Sequence, residues 1–124
     1  MVAIVAQRLV RRVCQKCREQ YTVTEEIIKE FHLKELLPHH DGKFYRPKGC
    51  PQCLKTGYKG RVGITETLVL TNKIKELILI SGSEADIKSA ARAQGMKTMR
   101  EDAVFKASQG LTTLEEVIRL TAPD

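Results

Sequence analysis

The chain of 124 residues has no tryptophan and only 5% aromatic residues, so its core has to be aliphatic and modest in size. No run of 18 apolar residues occurs, which excludes a membrane-spanning helix. The opening Met1-Val-Ala-Ile-Val-Ala6 carries no basic stretch and no full apolar region, so it does not read as a secretory signal. There is no G-x-x-x-x-G-K-[ST] phosphate loop and no G-x-G-x-x-G dinucleotide turn. Gly57-Tyr-Lys-Gly60-Arg61-Val-Gly63 is glycine-rich and basic, but the next residues read as a strand rather than a helix N-terminus, which argues against a phosphate cradle. The acidic pair Glu101-Asp102 falls in the first turn of an expected helix, where it complements the helix dipole and needs no acid–base role. No catalytic residue is assigned, and the chain alone is expected to be catalytically inert.

Cysteine is also sparse, but its four copies are matched: Cys14-Gln-Lys-Cys17 and Cys50-Pro-Gln-Cys53, with none left over. Two residues between partners let both thiolates of a pair reach one ion, and two pairs complete the tetrahedral S₄ shell that Zn²⁺ prefers. The 32 residues between the pairs exceed the usual zinc-ribbon spacing. Two other readings stand beside zinc: redox-active or disulfide cysteines, and an iron site of rubredoxin type with the same donors. A glutaredoxin-like use of Cys50-Pro-Gln-Cys53 would need a buried strand before it, and Lys43-Phe-Tyr-Arg-Pro-Lys-Gly49 is too polar for that. The pairs therefore read as a structural Zn²⁺ staple with Cys14, Cys17, Cys50 and Cys53 as ligands. With four thiolates filling the shell, His32, His39 and His40 are expected on solvated surface. Paired C-x₂-C units without a secretion signal point to a reducing, cytosolic compartment.

Charge is uneven. Residues 1–62 hold 13 Lys and Arg against 6 Asp and Glu, while residues 63–124 hold 8 against 9. A Zn(Cys)₄ centre is formally dianionic, so some of Arg11, Arg12, Lys16, Lys48, Lys55 and Lys59 are expected to offset it. A basic surface for nucleic acid or acidic lipid is the competing use. As a single-strand platform it is thin, offering only Tyr21, Phe44, Tyr45 and Tyr58.

The expected fold class is α+β: a small zinc-binding tetracysteine subdomain followed by a compact helical C-terminal subdomain. Val2, Val5, Ala6, Leu9, Val10 and Val13 form an i, i+3/i+4 stripe that predicts a helix over 2–13. It starts abruptly, without a cap, as the trimmed end of a longer element would. Thr22-Val-Thr-Glu25 reads as a capping box opening a helix with Ile27, Ile28, Phe31 and Leu36, ended by Pro38. Lys43–Arg46 and Arg61–Leu68 are strand candidates. Helices are then expected after Thr71/Asn72, after Ser83 and up to Gly95, after the box Thr98–Glu101 and up to Gly110, and after the box Thr112–Glu115.

These motifs together resemble one family, the ATPases of type II secretion and type IV pilus assembly of the GspE/PilB kind, over nearly the whole chain. Ala6-Gln-Arg-Leu-Val-Arg11 running into Cys14-x₂-Cys17 resembles the entry from that family's RecA-like motor into its zinc-binding element. Gly49-Cys-Pro-Gln-Cys53 with Gly57-Tyr-Lys-Gly-Arg61-Val-Gly-Ile64-x-Glu66 is similar to its second half. Gln94-Gly-Met96-x-Thr98-Met-Arg-Glu-Asp102 and Gln109-Gly-Leu-Thr-Thr-Leu-Glu-Glu-Val117 resemble the helical C-terminal region. The resemblance implies a C-terminal portion of a hexameric motor, cytoplasmic and peripheral at the inner membrane, which powers pilus assembly or protein export. ATP and Mg²⁺ would then belong to an upstream motor domain, and no ATP-contacting residue carries over here. It implies residues 1–13 as the end of the motor's last helix, 14–68 as the tetracysteine subdomain and 69–124 as the helical subdomain. Implied partners are neighbouring subunits, an inner-membrane platform or cytoplasmic secretion and pilus proteins, and acidic lipid. The basic side of the arm, including Lys16, Arg18, Lys55, Lys59 and Arg61, is expected to face them. A zinc-ribbon nucleic-acid adaptor and an electron-transfer iron protein are the rival readings.

Overall fold

The computed structural model describes residues 3–38, 40–80 and 82–121. Its fold is mixed helix and strand, in keeping with the α+β expectation. The first element differs from expectation. Ala3–Val13 is a β-strand, β1, which pairs antiparallel with a second long strand, Tyr58–Val69. The apolar stripe that suggested a helix is built mostly from Val, Ile and Leu. Branching at Cβ restricts Val and Ile in helices and suits them to a pleated ladder. A strand partner is available along the full length, from Ala3↔Val69 to Arg11↔Arg61, so tertiary pairing overrides local periodicity. The ladder then breaks: Val13 lies opposite Tyr58, one residue being gained on the second strand, where Gly60 takes φ +84°. A bulge with glycine in the left-handed region accommodates that extra residue.

A second ribbon forms between β2, Glu19–Thr22, and β3, Lys43–Arg46. The long partner of β1 is thus β4, three residues longer at its start than the expected Arg61–Leu68 and one longer at its end. Thr22 is committed to the ladder opposite Lys43, so it does not cap a helix. Thr24 does so instead, its hydroxyl accepting the Ile27 N–H at 3.4 Å. The expected single helix is two short ones, α1 (Glu25–Glu30) and α2 (Leu33–Leu36), because His32 between them sits at φ +53°.

Four helices complete the chain: α3 (Asn72–Leu79), α4 (Glu84–Ala93), α5 (Met99–Ser108) and α6 (Leu114–Leu120). Thr71, Ser83 and Thr98 cap the first three as expected, and Thr98 with Glu101 forms a reciprocal capping box. The α6 cap is Thr113, not Thr112, whose hydroxyl is drawn off to donate to the Arg11 carbonyl at 2.8 Å. No described helix is long and apolar enough to cross a membrane.

One core joins the strands to the last two helices. Val10 and Ile64 from the long ribbon, Phe44 from β3, Phe31 at the end of α1, Leu33 from α2, Val104 and Ala107 from α5, and Leu114 and Val117 from α6 are all buried together. The free edge of β4 is closed by α5: Asp102 accepts the Thr65 N–H at 2.8 Å, and the Lys106 ammonium donates to the Gly63 carbonyl. A ladder edge capped by side chains in this way is not offered for further pairing.

Candidate metal centre

The metal ligands of the sequence reading are brought to one place. Cys14 and Cys17 lie on the turn leaving β1, where the Arg18 N–H donates to the Cys14 carbonyl at 3.0 Å. Cys50 precedes and Cys53 ends a single 3₁₀ turn, Pro51–Cys53. Leu54 and Lys55 come next at φ +56° and +63°, reversing the chain so that the Lys55 N–H donates to the Cys50 carbonyl at 2.8 Å. Two successive non-glycine residues in the left-handed region cost about 1–2 kcal/mol each, which the ring of contacts around the turn sustains.

All four Sγ atoms lie within 4.8 Å of one another. The Cys14–Cys50, Cys17–Cys53 and Cys50–Cys53 separations are 3.8, 3.9 and 3.6 Å. A disulfide needs about 2.0 Å between sulfurs, and all four cysteines are free. Four thiolates held about 2.3 Å from a central Zn²⁺ would stand about 3.8 Å apart at the edges of their tetrahedron. The sulfurs are therefore set to the size of a tetrahedral thiolate shell, and the donor set fits zinc. Among the described residues this is the one group of three or more ligating side chains close enough to share an ion.

Backbone N–H groups converge on the sulfurs: Gly49 on Cys17 at 3.3 Å, and Cys50 and Gly57 on Cys53, each at 3.2 Å. Burial pushes the Cys53 thiol up, but the N–H groups of Cys50 and Gly57 and its cysteine neighbours outweigh it and bring it down to about 6. The Cys14 thiol is lowered chiefly by the Lys16 backbone N–H. Burial dominates at Cys17 and pushes it up to about 11, with the other three thiols adding to the rise. Four sulfurs this close cannot all ionise without a cation among them. A bound Zn²⁺ would supply that charge and cross-link the two turns.

Gly57 is where this geometry is least tolerant. It is buried at φ +83°, its carbonyl accepts the Cys14 N–H at 2.9 Å, and a Cβ there would lie 2.3 Å from the Pro47 Cβ. Gly57→Ala is expected to destabilise the metal-loaded chain by about 1–3 kcal/mol, read as a lower denaturant midpoint at unchanged slope.

The basic residues divide. Lys16, Lys55, Lys59 and Arg61 are exposed around the centre, whereas three of their neighbours have other work. Lys48 pairs with Glu19 at 3.4 Å. Arg18 donates to the Gly110 carbonyl at 2.8 Å and stacks on Tyr45, so it is turned into the fold and not toward a partner. Arg11 is held by Glu116. His32 is exposed; His40 is half-buried, its ring 4.9 Å from that of Phe44, and its Nδ1 accepts the Gly42 N–H. His39 lies outside the described residues.

The sequence reading missed the group that ties the cysteine-proximal end of β1 to α6. Glu116 is 1% exposed, and its carboxylate accepts the Arg11 backbone N–H at 2.9 Å, the Arg11 guanidinium at 2.9 and 2.7 Å, and the Arg119 guanidinium at 3.0 Å twice. The Arg11 guanidinium also lies 4.1 Å over the Tyr58 ring, and the Tyr58 hydroxyl is 2.9 Å from that of Thr113. Beside it the Val13 N–H donates to the Leu111 carbonyl at 3.0 Å. The signal was in the sequence as overlapping boxes, Thr112–Glu115 and Thr113–Glu116, and the choice between them rested on which threonine Arg11 would claim.

The sequence also has relatives among known proteins. The model of the family described as "Type II/IV secretion system protein" matches residues 1–119. The chain is 42% identical over 121 residues to the type IV pilus assembly ATPase PilB of Thermus thermophilus, covering 98% of this chain and 14% of that protein. It is 40% identical to the type II secretion system protein HxcR of Pseudomonas aeruginosa and 39% identical to the type II secretion system ATPase E of Vibrio cholerae. Each of those alignments also covers 98% of this chain, but only 22% and 23% of the relatives. The chain thus spans less than a quarter of the length of these relatives, and over that length it belongs to the type II/IV secretion system protein family.

Proposed function

We propose that the chain is the zinc-bearing C-terminal portion of an ATPase that powers type II secretion or type IV pilus assembly. The observation that carries the metal assignment is the tetrahedral spacing of Cys14, Cys17, Cys50 and Cys53. The family match supports the parent activity. The role of this portion is structural and for docking. Zn²⁺ fixes the two cysteine turns as a rigid arm, and Lys16, Lys55, Lys59 and Arg61 present a basic surface on it. ATP and Mg²⁺ are bound by an upstream motor, which hydrolyses ATP as a hexamer at the cytoplasmic side of the inner membrane. In this reading residues 1–13 lead in from the motor, 14–68 form the metal-bearing unit and 69–124 the helical unit. The basic arm meets a neighbouring subunit, an inner-membrane platform protein or acidic headgroups.

Two measurements test the proposal. Metal analysis of protein purified without added metal should give one Zn²⁺ per chain; a red, iron-loaded protein would replace zinc by a rubredoxin-type centre. The native protein should be several times heavier, with a G-x-x-x-x-G-K-[ST] loop in its upstream sequence. A native mass near 14.0 kDa would overturn the motor assignment. A salt-sensitive gel shift with nucleic acid would then favour an adaptor.

A further inference from the structure

The end of the long ribbon that carries the cysteine turns is cationic, with no relief from its own sequence. Residues 1–18 and 42–65, which supply both turns, contain no Asp or Glu. Arg12, Lys16, Lys55, Lys59 and Arg61 are exposed there, and among the described residues none of them is paired with a carboxylate. A dianionic Zn(Cys)₄ centre would offset two of these charges and leave the rest. Beside Lys55, Leu54 is 83% exposed in the turn that follows Cys53. Its φ of +56° is one that glycine or asparagine adopts at lower cost. The turn is nevertheless closed by its own backbone. The N–H groups of Leu54, Lys55 and Thr56 donate to the carbonyls of Pro51, Cys50 and Cys53 at 3.3, 2.8 and 3.2 Å. A leucine is thus held outward at a fixed point within a field of lysine and arginine.

We propose that this tip docks on an acidic lipid surface, with Leu54 entering the headgroup boundary and the surrounding cations meeting lipid phosphates. The inference rests on the reading of the cysteine turns as a rigid basic arm, and it chooses among that arm's partners. Charge complementarity calls for an anionic partner, and the side chains at the tip decide which kind. Nucleic acid and acidic protein surfaces are commonly met through exposed aromatic rings, which stack on bases or fill the centre of an interface. Here each nearby ring is taken. The guanidinium groups of Arg46, Arg18 and Arg11 lie 4.4, 4.2 and 4.1 Å over the rings of Tyr21, Tyr45 and Tyr58, and Phe44 is buried. What remains is a single apolar prong among unpaired cations. A fluid headgroup layer closes around such a prong without a preformed pocket, and long cationic side chains reach its phosphates from beside it.

The chain has no tryptophan, so Leu54→Trp places one fluorophore at the tip. One Zn²⁺ per chain and a native amide spectrum are established first. A protein that fails there removes the rigid arm, and this proposal with it. The zinc-loaded variant is then titrated with vesicles of phosphatidylcholine and phosphatidylglycerol in equal parts, with vesicles of phosphatidylcholine alone, and with polyglutamate. The expected result is a blue-shifted emission on the acidic vesicles. Binding to them, read by co-sedimentation, should be at least about tenfold tighter than to the neutral ones and should weaken with salt. In the wild-type chain, Leu54→Asn, which suits the left-handed turn, should lower vesicle binding severalfold. The double change Lys16→Gln and Lys55→Gln should do the same, each with a native spectrum. No binding, equal binding to both vesicles, binding with unmoved tryptophan emission, or a blue shift with polyglutamate but not with vesicles would each overturn the proposal and leave the zinc-bearing arm in place.

Discussion

Cys50→Ser is expected to bind no zinc at stoichiometric concentration and to lose the ordered structure of the segment between the cysteine pairs. Binding free energy at a structural Zn²⁺ site is on the order of 10–16 kcal/mol in model peptides and is coupled to folding. Serine keeps the size but not the thiolate, so the shell loses a ligand and the two turns lose their cross-link. The consequence extends beyond the centre, because Phe44, Phe31 and Leu33 from that segment are buried against Val104 and Val117. When the segment melts, α5 and α6 lose their apolar cover. Thermal unfolding should therefore shift to much lower temperature for the whole chain, with chelator-treated wild type behaving like the variant. Amide spectra of Cys50→Ser with and without Zn²⁺ check this, and a fully native spectrum in the metal-free variant would refute the staple.

Glu116→Gln should give a large loss of stability while leaving the cysteine cluster intact. The carboxylate is buried and collects five N–H contacts from Arg11 and Arg119. Removing one side of a buried ion pair typically costs about 3–5 kcal/mol, since the remaining charges lose their partner. Arg11 and Arg119 are each about half exposed, at 49% and 53%. Their single replacements should cost less, because water can take over part of what the carboxylate supplied. The same contacts set the pH dependence. Burial pushes the Glu116 carboxyl up, but the hydrogen bonds from Arg119 and Arg11 overcome it and hold it at about 2, against an ordinary 4.5. A folded-state value below the unfolded one means the contribution is fully present above about pH 4.5 and is lost as pH falls from there toward about 2. Urea unfolding across that window should show a decline in wild type that is flattened in Glu116→Gln. Identical acid slopes for the two proteins would refute the assignment.

Chemistry held in short, rigid motifs was legible in the sequence. The cysteine pairs carry their spacing in two residues each, and Thr71, Ser83 and Thr98 announce their helices within one turn. Anything decided by a distant partner was not legible. The segment 3–13 carries a helical stripe, and it is a strand because Tyr58–Val69 lies alongside it. Thr22 has the signature of a cap and is a ladder residue because Lys43 faces it. Thr112 has the same signature and instead satisfies the Arg11 carbonyl. Arg11 and Arg18 read as free positive charge near the cysteine cluster, and both are consumed by groups 105 and 92 residues further along the chain. In each case local preference is real but small, and one long-range hydrogen bond or pairing outweighs it.

Val13 and Tyr58 face each other across the end of the long ribbon. The chain therefore leaves the ribbon and re-enters it at the same point, and everything from Cys14 to Gly57 is, topologically, a detour from a hairpin. Excising that detour would leave strand ends close enough to be joined by a tight turn. Its sulfur centre makes it look like a self-sufficient cassette, yet Val23, Phe31, Leu33 and Phe44 supply a share of the interior that α5 and α6 need. A shortened descendant could keep the ribbon and its register intact. It would survive only with new apolar side chains over Val104 and Ala107, or with polar ones in their place. Gain or loss of the cassette would thus be simple as an edit to the path of the chain, and would leave its trace in the residues of α5.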